Sequence, residues 1–464
     1  MRYGSDVQSV PLAGANASLA ACEALCCATT GCVAFSFNFP QPSHTCVGGA
    51  CCEEGAACCM LKDELALPLV NNTWPGAVQT GALPPAPGPV PPFARSADLG
   101  NASFGSVKFC PGDNGDTWPT AWLADDSLVG WDCDAHGSPM SLWRLDGDPR
   151  LGNLTPTLVS DLQALNYTLL CSFLGKTGSY PNINIKPGGM MALDGVLYAG
   201  VSCMDYGEDA LFNRQRNLAG FVATSADGGG SWANGTAVGA FGGRFSAPVF
   251  VSCGRANDGD CLASGFVFAF FPGAFDDQAF WDNNDAHFLA RVPPTQVLNR
   301  SAYQFFAGLD GAGAPLWTTD DSQAQPALEF GNMLGENAVA YHPFLRKYLI
   351  AQFGFIDLAG KPRPWHTKPF MSPHRTQLLF LEADAPWGPW RVFYASDDSP
   401  PAPGLYTPTF PAKFFAPVAS DGSTTLVMFF SCLDGAENCR YTLNYVEVSL
   451  LDLRVSRAAL GQRN

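Results

Sequence analysis

The chain has 464 residues and a net charge of −16, from 42 Asp and Glu against 26 Lys and Arg. Only 15% of the residues are charged and the excess is acidic, so no basic surface is available for phosphates and nucleic acid is excluded as an expected partner. Hydrophobic residues make up 47% and include 33 Phe, which is enough for a sizeable core. No apolar run reaches the roughly 20 residues of a membrane-spanning helix, so we expect a globular chain without a membrane span.

Nine of the 17 cysteines lie between Cys22 and Cys59. So dense a cluster favours a disulfide framework. Zinc is the alternative, but the cysteines form doublets rather than the C-x2-C pairs that share one zinc ion: Cys26-Cys27, Cys51-Cys52 and Cys58-Cys59. The odd total leaves one cysteine without an intramolecular disulfide partner in this chain.

Seven N-x-S/T sequons are spread along the chain, at Asn16, Asn71, Asn101, Asn153, Asn166, Asn234 and Asn299. Together with the cysteines they predict a secreted or cell-surface glycoprotein. Met1 to Gly4 do not begin a signal peptide, since no apolar segment follows, and we expect the true N-terminus to lie upstream.

Residues 1–65 are predicted to form a small, disulfide-rich α+β module. Ser18 is a good N-cap, and the helix formers after it place Cys22 and Cys26 one helical turn apart. The segments Cys32-Val-Ala-Phe and Cys59-Met-Leu-Lys complete a pattern that resembles the PAN/apple module. The resemblance implies a non-catalytic unit that binds a protein or glycan ligand. The proline-rich segment that follows, residues 66–105, is predicted to be a stiff linker.

Residues 106–455 consist of short apolar or alternating runs separated by Gly, Asp and Pro, with almost no helical periodicity. This pattern predicts an all-β domain and excludes a sheet built from βαβ units. About 350 residues is long for a β-sandwich, whereas a propeller adds one four-stranded blade per roughly 45–70 residues. We predict a five-bladed β-propeller, followed by a C-terminal tail at residues 456–464.

The run from Ser225 to Trp232 matches the Asp-box, S-x-D-x-G-x-[ST]-W, a hairpin turn that recurs in sialidase-like propellers. Its aspartate, Asp227, is expected to cap the amides of the turn, and its tryptophan to pack between blades. We therefore predict a structural role for the Asp-box, outside the active centre.

The most informative segment for chemistry is residues 115–137. Asp125-Asp126-Ser127 is a turn between two apolar strands, and a hairpin centred on Asp125 places Asp116 opposite Asp134. Opposed residues have Cβ atoms about 4.5–5.5 Å apart, close to the roughly 5–5.5 Å between the carboxyl groups of retaining glycosidases. Like charges this close raise one pKa, which gives a protonated acid beside an ionised nucleophile. Alternatively, these residues cap turns or bind a structural calcium ion.

The same segment reads G-D-x-W-P-x-x-W-x-x-D-D-x-L and resembles the first blade of a five-bladed propeller family catalogued as domain of unknown function 4185, whose members include endo-D-arabinan-cleaving glycoside hydrolases. Further segments resemble this family in the same order, beginning at Lys186, Leu289, Arg300, Tyr341 and Glu382. The resemblance covers nearly all of residues 106–450. It implies that the family's paired aspartates fall on Asp116 and Asp134, the pair that the hairpin also predicts.

Several other residues are expected to contact the substrate: Trp118, Trp131, Asp132, His136, Asn184, Tyr341 and His342. A Trp face offers a platform for a sugar ring. Asp132, His136 and His342 depart from the family pattern, which puts the identity of the sugar in question more than the type of reaction. We expect no cofactor and no metal in the site, with a structural calcium ion left open.

Our first hypothesis is a secreted glycoside hydrolase that cleaves a furanose-containing, arabinan-like polysaccharide by a paired-aspartate, retaining mechanism. The alternative is a non-catalytic propeller that binds carbohydrate or protein through its aromatic residues.

Overall fold

The computed structural model describes residues 6–12, 34–38, 45–47, 50–52, 57–62, 79–82, 92–110, 115–135, 138–161, 171, 183–205, 216–281, 284–334, 338–354, 376–397, 401–432 and 439–456. The chain divides into two compact units, Met1–Pro89 and Val90–Asn464. Among the described residues, no helix combines the length and the apolar character that crossing a lipid bilayer requires.

Six strands lie in the described part of the first unit: β1 (Asp6–Leu12), β2 (Ala34–Asn38), β3 (Thr45–Val47), β4 (Ala50–Cys52), β5 (Ala57–Lys62) and β6 (Gln79–Ala82). They form an antiparallel sheet in the order β1-β5-β2-β6 and a hairpin of β3 and β4. Because β6 lies in the segment predicted as a linker, this unit extends beyond residue 65. The helix predicted after Ser18 and the side chains of the cysteine cluster lie outside the described residues.

The second unit begins with three short strands, β7 (Ala94–Arg95), β8 (Leu99–Phe104) and β9 (Lys108–Phe109). The strands of blade 1 are β10 (Thr120–Trp122), β11 (Leu128–Ala135), β12 (Ser138–Asp146) and β13 (Thr155–Asp161). Those of blade 2 are β14 (Ile183–Leu193), β15 (Val196–Asp205), β16 (Arg216–Ser225), β17 (Ala233–Asn234) and β18 (Phe241–Gly242).

Blade 3 contains β19 (Val249–Phe250), β20 (Val267–Gly273), β21 (Asn284–Val292), β22 (Gln304–Leu309), β23 (Pro315–Thr318) and β24 (Pro326–Leu334). Blade 4 contains β25 (Val339–His342), β26 (Lys347–Gly354), β27 (Gln377–Ala383) and β28 (Arg391–Ser396), and blade 5 contains β29 (Leu405–Thr409), β30 (Ser423–Cys432) and β31 (Asn444–Asp452). Short 3-10 helices connect the strands, at Pro149–Leu151, Gly243–Phe245, Arg255–Asn257, Asp260–Ser264, Pro294–Gln296, Arg300–Ala302, Asp321–Gln323 and Ala412–Phe414.

Within the described part of residues 92–456, these strands form five sheets of four to six strands. The first strands of consecutive sheets contact each other, as β10 does β14 and β14 does β19. A parallel bridge between Ser252 and Ala340 links blades 3 and 4 in the same way. The predicted five-bladed β-propeller is therefore confirmed.

The ring is closed by the start of the second unit. Strand β7 pairs in parallel with β28 of blade 4, and β8 and β9 pair with β31 of blade 5. The propeller therefore begins near residue 94, and the prediction that residues 66–105 form a linker is wrong for this part. At the other end, residues 453–456 form a single helical turn.

Phenylalanine supplies much of the packing between the blades. Strand β20 is buried at every position, as expected for a strand covered on both faces. In the core shared by blades 2 and 3, the ring of Phe245 lies 4.7–5.6 Å from those of Phe271, Phe288 and Phe305. Such large side chains fill the space between twisted sheets.

Gly200 of blade 2 lies against the backbone of blade 3. A Cβ at this position would lie 1.9 Å from the carbonyl oxygen of Pro248, an atom that cannot move aside. We expect Gly200→Ala to lower the free energy of unfolding by about 1–3 kcal/mol in urea titrations. Gly242→Ala is the matched control, because a Cβ there would meet nothing within 4 Å. Equal effects of the two substitutions would contradict this account.

The Asp-box has the structural role predicted for it. The Asp227 carboxylate accepts hydrogen bonds from the amide and the hydroxyl of Ser231, at 2.9 and 2.7 Å. These bonds, with one from Ser225, lower the pKa of Asp227 to about 2. Trp232 packs on Trp131 of blade 1 with ring centroids 4.6 Å apart, so the turn joins two blades.

Three disulfides lie in the described part of the propeller: Cys171–Cys203, Cys253–Cys261 and Cys432–Cys439. Cys253–Cys261 and Cys432–Cys439 close short loops, with sequence separations of 8 and 7, whereas Cys171–Cys203 joins residues 32 positions apart. Such disulfides are typical of proteins from oxidising compartments.

Candidate functional site

The hairpin of blade 1 carries both predicted carboxyl groups. Its register follows the prediction near the turn, where Thr120 pairs with Gly130, but Asp116 pairs with Cys133 through backbone hydrogen bonds of 2.9 and 2.8 Å. The prediction that Asp116 directly faces Asp134 is therefore wrong by one residue. The cause is a bulge at Thr117, whose φ of +50° lies in the left-handed region.

The bulge does not separate the two carboxyl groups. A carboxylate oxygen of Asp116, a carboxylate oxygen of Asp134 and the sulfur of Cys133 all lie within 4.8 Å of one another. Asp134 has a φ of +61°, which turns its side chain at the end of the strand. A local departure from regular pairing thus builds the cluster.

Blade 2 contributes a cation to this cluster. The ammonium group of Lys186, from β14, contacts the Asp134 carboxylate, and it lies 3.3 Å from the Cys133 sulfur. The Lys186 side chain is 10% exposed and that of Asp134 is 30% exposed, so solvent reaches this ion pair from the side of Asp134. A substrate could approach from the same side.

Blade 5 contributes two tyrosines. The hydroxyl groups of Tyr406 and Tyr441 donate to Asp116 Oδ2 at 2.9 and 3.1 Å. The Cys133 thiol donates to the other oxygen, Oδ1. Asp116 therefore has donors on both oxygens, and blades 1, 2 and 5 meet at its carboxyl group.

Burial raises the pKa of Asp116 above its ordinary value. The Lys186 charge opposes this rise, the Asp134 charge adds to it, and the hydrogen bonds from Cys133 and Tyr406 oppose it. The site therefore holds one carboxyl group that retains its proton more readily than usual beside a second that is paired with an ammonium group. This is the arrangement that proton donation and nucleophilic attack require of two carboxyl groups.

Cys133 is a buried thiol rather than a nucleophile. Burial and the neighbouring Asp116 charge raise its pKa well above the ordinary value, so it stays protonated at neutral pH. The two carboxyl groups and this thiol are groups that could hold a cation. Lys186 already brings a positive charge to two of the three, and we assign no metal to the site.

Three predicted substrate contacts lie inside the propeller. Trp118 and Trp131 are fully buried in the cores beside blade 1. The Asp132 carboxylate is also fully buried and accepts from the Ser141 amide and the Trp143 indole, at 2.9 and 2.8 Å. The two indole rings pack in the core and the Asp132 carboxylate is hydrogen-bonded within its blade, so none of these side chains is accessible. The expectation that they contact substrate is wrong.

Tyr341 and His342 lie at the end of β25, the first strand of blade 4. In contrast, Asp116 and Tyr406 lie before or near the start of the first strands of their blades. Tyr341 and His342 are both buried, and His342 stacks on Phe415 with ring centroids 4.4 Å apart. Burial lowers the pKa of His342 to about 3. The structure does not bring this pair to the carboxyl groups. His136 and the side chain of Asn184 lie outside the described residues.

The sequence did not reveal four residues of the cluster: Cys133, Lys186, Tyr406 and Tyr441. Lys186 opens one of the segments that resemble the propeller family, which was the available signal. No sequence signal pointed to the two tyrosines, because their contacts with Asp116 join residues that are 290 and 325 positions apart.

Residues 1–62 match a family model described as the PAN domain. No curated protein matches the sequence. The native arabinanase Arb43A of Bacillus subtilis superimposes with a TM-score of 0.39 and 10% identity, covering 74% of this chain and 96% of that one. The GH43_1 enzyme from Xanthomonas citri does so with a TM-score of 0.38 and 12% identity, covering 73% and 88%.

Both TM-scores and both sequence identities are low. The assignment of the propeller rests on its own sheets and their closure. The chain therefore combines an N-terminal segment that matches the PAN domain with a five-bladed β-propeller.

Proposed function

We propose that this protein is a glycoside hydrolase and that Asp116 and Asp134 are its catalytic carboxyl pair. One observation carries the proposal: carboxylate oxygens of the two residues lie within 4.8 Å of each other, in two different environments. Retaining glycosidases place their carboxyl groups about 5–5.5 Å apart and inverting enzymes about 6.5–9.5 Å apart. The shorter distance favours a retaining mechanism.

The environments suggest how the roles divide. Asp116, whose pKa is raised by burial, donates its proton to the glycosidic oxygen as the bond to the anomeric carbon breaks. Asp134, with the more exposed side chain, attacks that carbon and forms a glycosyl ester. Water then hydrolyses the ester, giving its proton back to Asp116 and freeing Asp134.

The sequence resemblance points to the substrate class, since the family that residues 106–450 resemble includes enzymes that cleave D-arabinan. We propose a furanose-containing, arabinan-like polysaccharide, cut at internal bonds. The competing hypothesis, a non-catalytic binding propeller, depended on exposed aromatic residues beside the hairpin. Burial of Trp118 and Trp131 removes that support.

The test is release of reducing ends from arabinans and other furanose-containing polysaccharides, with pyranose polymers for comparison. We expect release from at least one furanose polymer, and proton NMR of the first product should show the anomeric configuration of the substrate. If no polymer is cleaved, and glycan binding by wild type and Asp134→Asn is equal, the catalytic proposal fails and the binding hypothesis replaces it.

Lys186→Met should lower kcat/KM about 10²-fold, because the ammonium group that holds Asp134 is lost. Since the Lys186 charge lowers the pKa of Asp116, its removal raises that pKa. Activity in Lys186→Met should therefore persist to higher pH than in the wild type. Lys186→Arg keeps the charge and is the matched control. A pH profile of Lys186→Met that coincides with the wild-type profile would contradict the electrostatic role.

We also propose that the protein is secreted and glycosylated and that its PAN-like segment binds a glycan or protein. The sequon residues Asn153, Asn234 and Asn299 are exposed and open to modification. Protein made in a eukaryotic secretory host should lose mass on treatment with peptide N-glycosidase. An unchanged mass would contradict glycosylation.

A further inference from the structure

The hydroxyl group of Tyr406 joins the last blade of the propeller to the carboxyl group of the first. Tyr406 lies in β29, 290 residues after Asp116, and donates to Asp116 Oδ2 at 2.9 Å. The residue is only 1% exposed. Its ring packs against Trp281 and Phe353, with centroids 5.8 and 6.3 Å away. A side chain buried this deeply cannot contact a polysaccharide, so any effect on catalysis passes through Asp116.

The backbone is strained at both ends of this hydrogen bond. Thr117, next to Asp116, has a φ of +50°, and Thr407, next to Tyr406, has a φ of +46°. β-branched residues seldom adopt the left-handed region, and such outliers persist where the surrounding structure holds them in place.

Both threonines coincide with irregular strand pairing. The register of blade 1 slips at Thr117, and that of β29 with β30 shifts between Tyr406 and Thr409. The buried Thr407 hydroxyl has no hydrogen-bond partner among the described residues, so its own side chain does not account for the conformation. The feature that both distortions share is the contact between the Tyr406 hydroxyl and the Asp116 carboxyl group.

We propose that Tyr406, with Tyr441 as a second donor, is a positioning residue that holds the Asp116 carboxyl group and eases release of its proton. The proposal rests on the role of Asp116 in the function proposed above. It makes proton transfer in blade 1 depend on the closure of the ring by blade 5.

The chemistry follows from the charge that develops on Asp116. When Asp116 passes its proton to the glycosidic oxygen, the carboxyl group becomes a carboxylate. A hydrogen bond from the Tyr406 hydroxyl to that oxygen is then charge-assisted, and roughly twice as strong as the bond to the neutral acid. Tyr406 thus stabilises the product of proton transfer more than the starting state.

The charged and titratable groups that face Asp116 come from three blades. They are Cys133 and Asp134 of blade 1, Lys186 of blade 2, and Tyr406 and Tyr441 of blade 5. Burial raises the pKa of Asp116, and the Tyr406 hydrogen bond opposes that rise. Removing the hydroxyl should therefore raise this pKa further.

Tyr406→Phe should lower kcat/KM about tenfold and move the high-pH side of the activity profile upward by about one pH unit. Tyr441→Phe removes a donor from the same oxygen and should move it in the same direction by less. Tyr445→Phe, a buried tyrosine of the same blade, is the control and should leave the profile unchanged. If Tyr406→Phe does not fold, the shift in Tyr441→Phe decides the proposal, and its absence overturns it.

A second measurement does not depend on catalysis. Because its pKa is raised in the folded state, Asp116 binds its proton more tightly there than in the unfolded chain. The wild type should therefore lose stability relative to Asp116→Asn as the pH rises from 3.8, the ordinary value, through the folded-state pKa.

Urea unfolding at a series of pH values locates the upper end of this window. The wild type compared with Asp116→Asn gives the reference value of this upper pH limit. The limit should lie at higher pH when Tyr406→Phe is compared with the double variant Tyr406→Phe/Asp116→Asn. A window that does not move overturns the proposal. If no polysaccharide is cleaved but the window moves, the contact is confirmed and the proposed function alone fails.

Discussion

Asp116→Asn and Asp134→Asn should each lower kcat/KM for polysaccharide hydrolysis about 10³-fold or more, with the fold intact. An amide at position 116 has no acidic proton to give to the leaving oxygen, and an amide at position 134 cannot form the glycosyl ester. Reducing-end release measures the loss, and thermal unfolding shows that each variant is folded. Asp125→Asn is the matched control, because this exposed carboxylate lies in the turn of the same hairpin.

Azide separates the two roles. In Asp134→Gly, azide fits the space left by the nucleophile and should give a glycosyl azide of inverted configuration. In Asp116→Gly, with an aryl glycoside whose leaving group needs no protonation, azide should intercept the glycosyl ester and give the retained configuration. The opposite pattern would exchange the assignments, and more than a tenth of wild-type activity in either Asn variant would remove that residue from the pair.

Lys347→Met should lower the free energy of unfolding of the propeller by about 3–5 kcal/mol, the largest stability effect that we expect. Lys347 and Glu382 are both fully buried, and Lys347 Nζ lies 3.0 Å from Glu382 Oε2. It also contacts Asp98 and Asp384 at 2.5 and 2.6 Å. Without the ammonium group, the Glu382 carboxylate is left buried and undercompensated.

These carboxylates outweigh burial in setting the charge of Lys347. Burial alone lowers the pKa of Lys347, but hydrogen bonds to Asp384, Asp98 and Glu382 raise it above the ordinary value. The lysine is therefore fully charged at neutral pH. Since Asp98 precedes β8, this cluster fastens the segment that closes the ring to the body of blade 4.

Urea unfolding of single and double variants tests this account. Lys347→Met/Glu382→Gln removes both buried charges and should recover much of the stability lost in Lys347→Met. Lys413→Met breaks an ion pair with Asp126 in which the two side chains are 23% and 56% exposed, and it should change stability by less than about 1 kcal/mol. An effect of Lys347→Met no larger than that of the Lys413 control would show that the buried cluster is not what holds the ring closed.

The two largest effects lie in different parts of the propeller and report different properties. The carboxyl pair lies at the meeting point of blades 1, 2 and 5, whereas the Lys347 cluster joins blade 4 to the start of the second unit. If ring closure holds Tyr406 against Asp116, loosening the Lys347 cluster should also weaken catalysis. The activity of Lys347→Met, measured below the unfolding temperature of this variant, tests that link.

Local patterns in the sequence were enough to predict the class of fold and the hairpin of blade 1. Turn residues and apolar runs act over a few positions, so the turn at Asp125 and the register near it could be predicted from local pattern. The Asp-box was predictable for the same reason, since the Asp227 carboxylate accepts hydrogen bonds from Ser225 and Ser231, which lie within four residues of it. The closeness of Asp116 and Asp134 followed from this one hairpin.

Packing between the blades decides which side chains of that hairpin are available to a substrate, and local sequence patterns do not reveal that packing. Trp118, Trp131 and Asp132 are apolar or hydrogen-bonding partners of other strands, and their burial depends on the neighbouring sheets rather than on their own strand. Lys186 and Tyr406 reach the site from 52 and 290 residues away along the chain from Asp134 and Asp116. Lys186 reaches Asp134 when blades 1 and 2 pack against each other, and Tyr406 reaches Asp116 only when the ring of blades closes. Local pairing within one hairpin brings neither residue to the site.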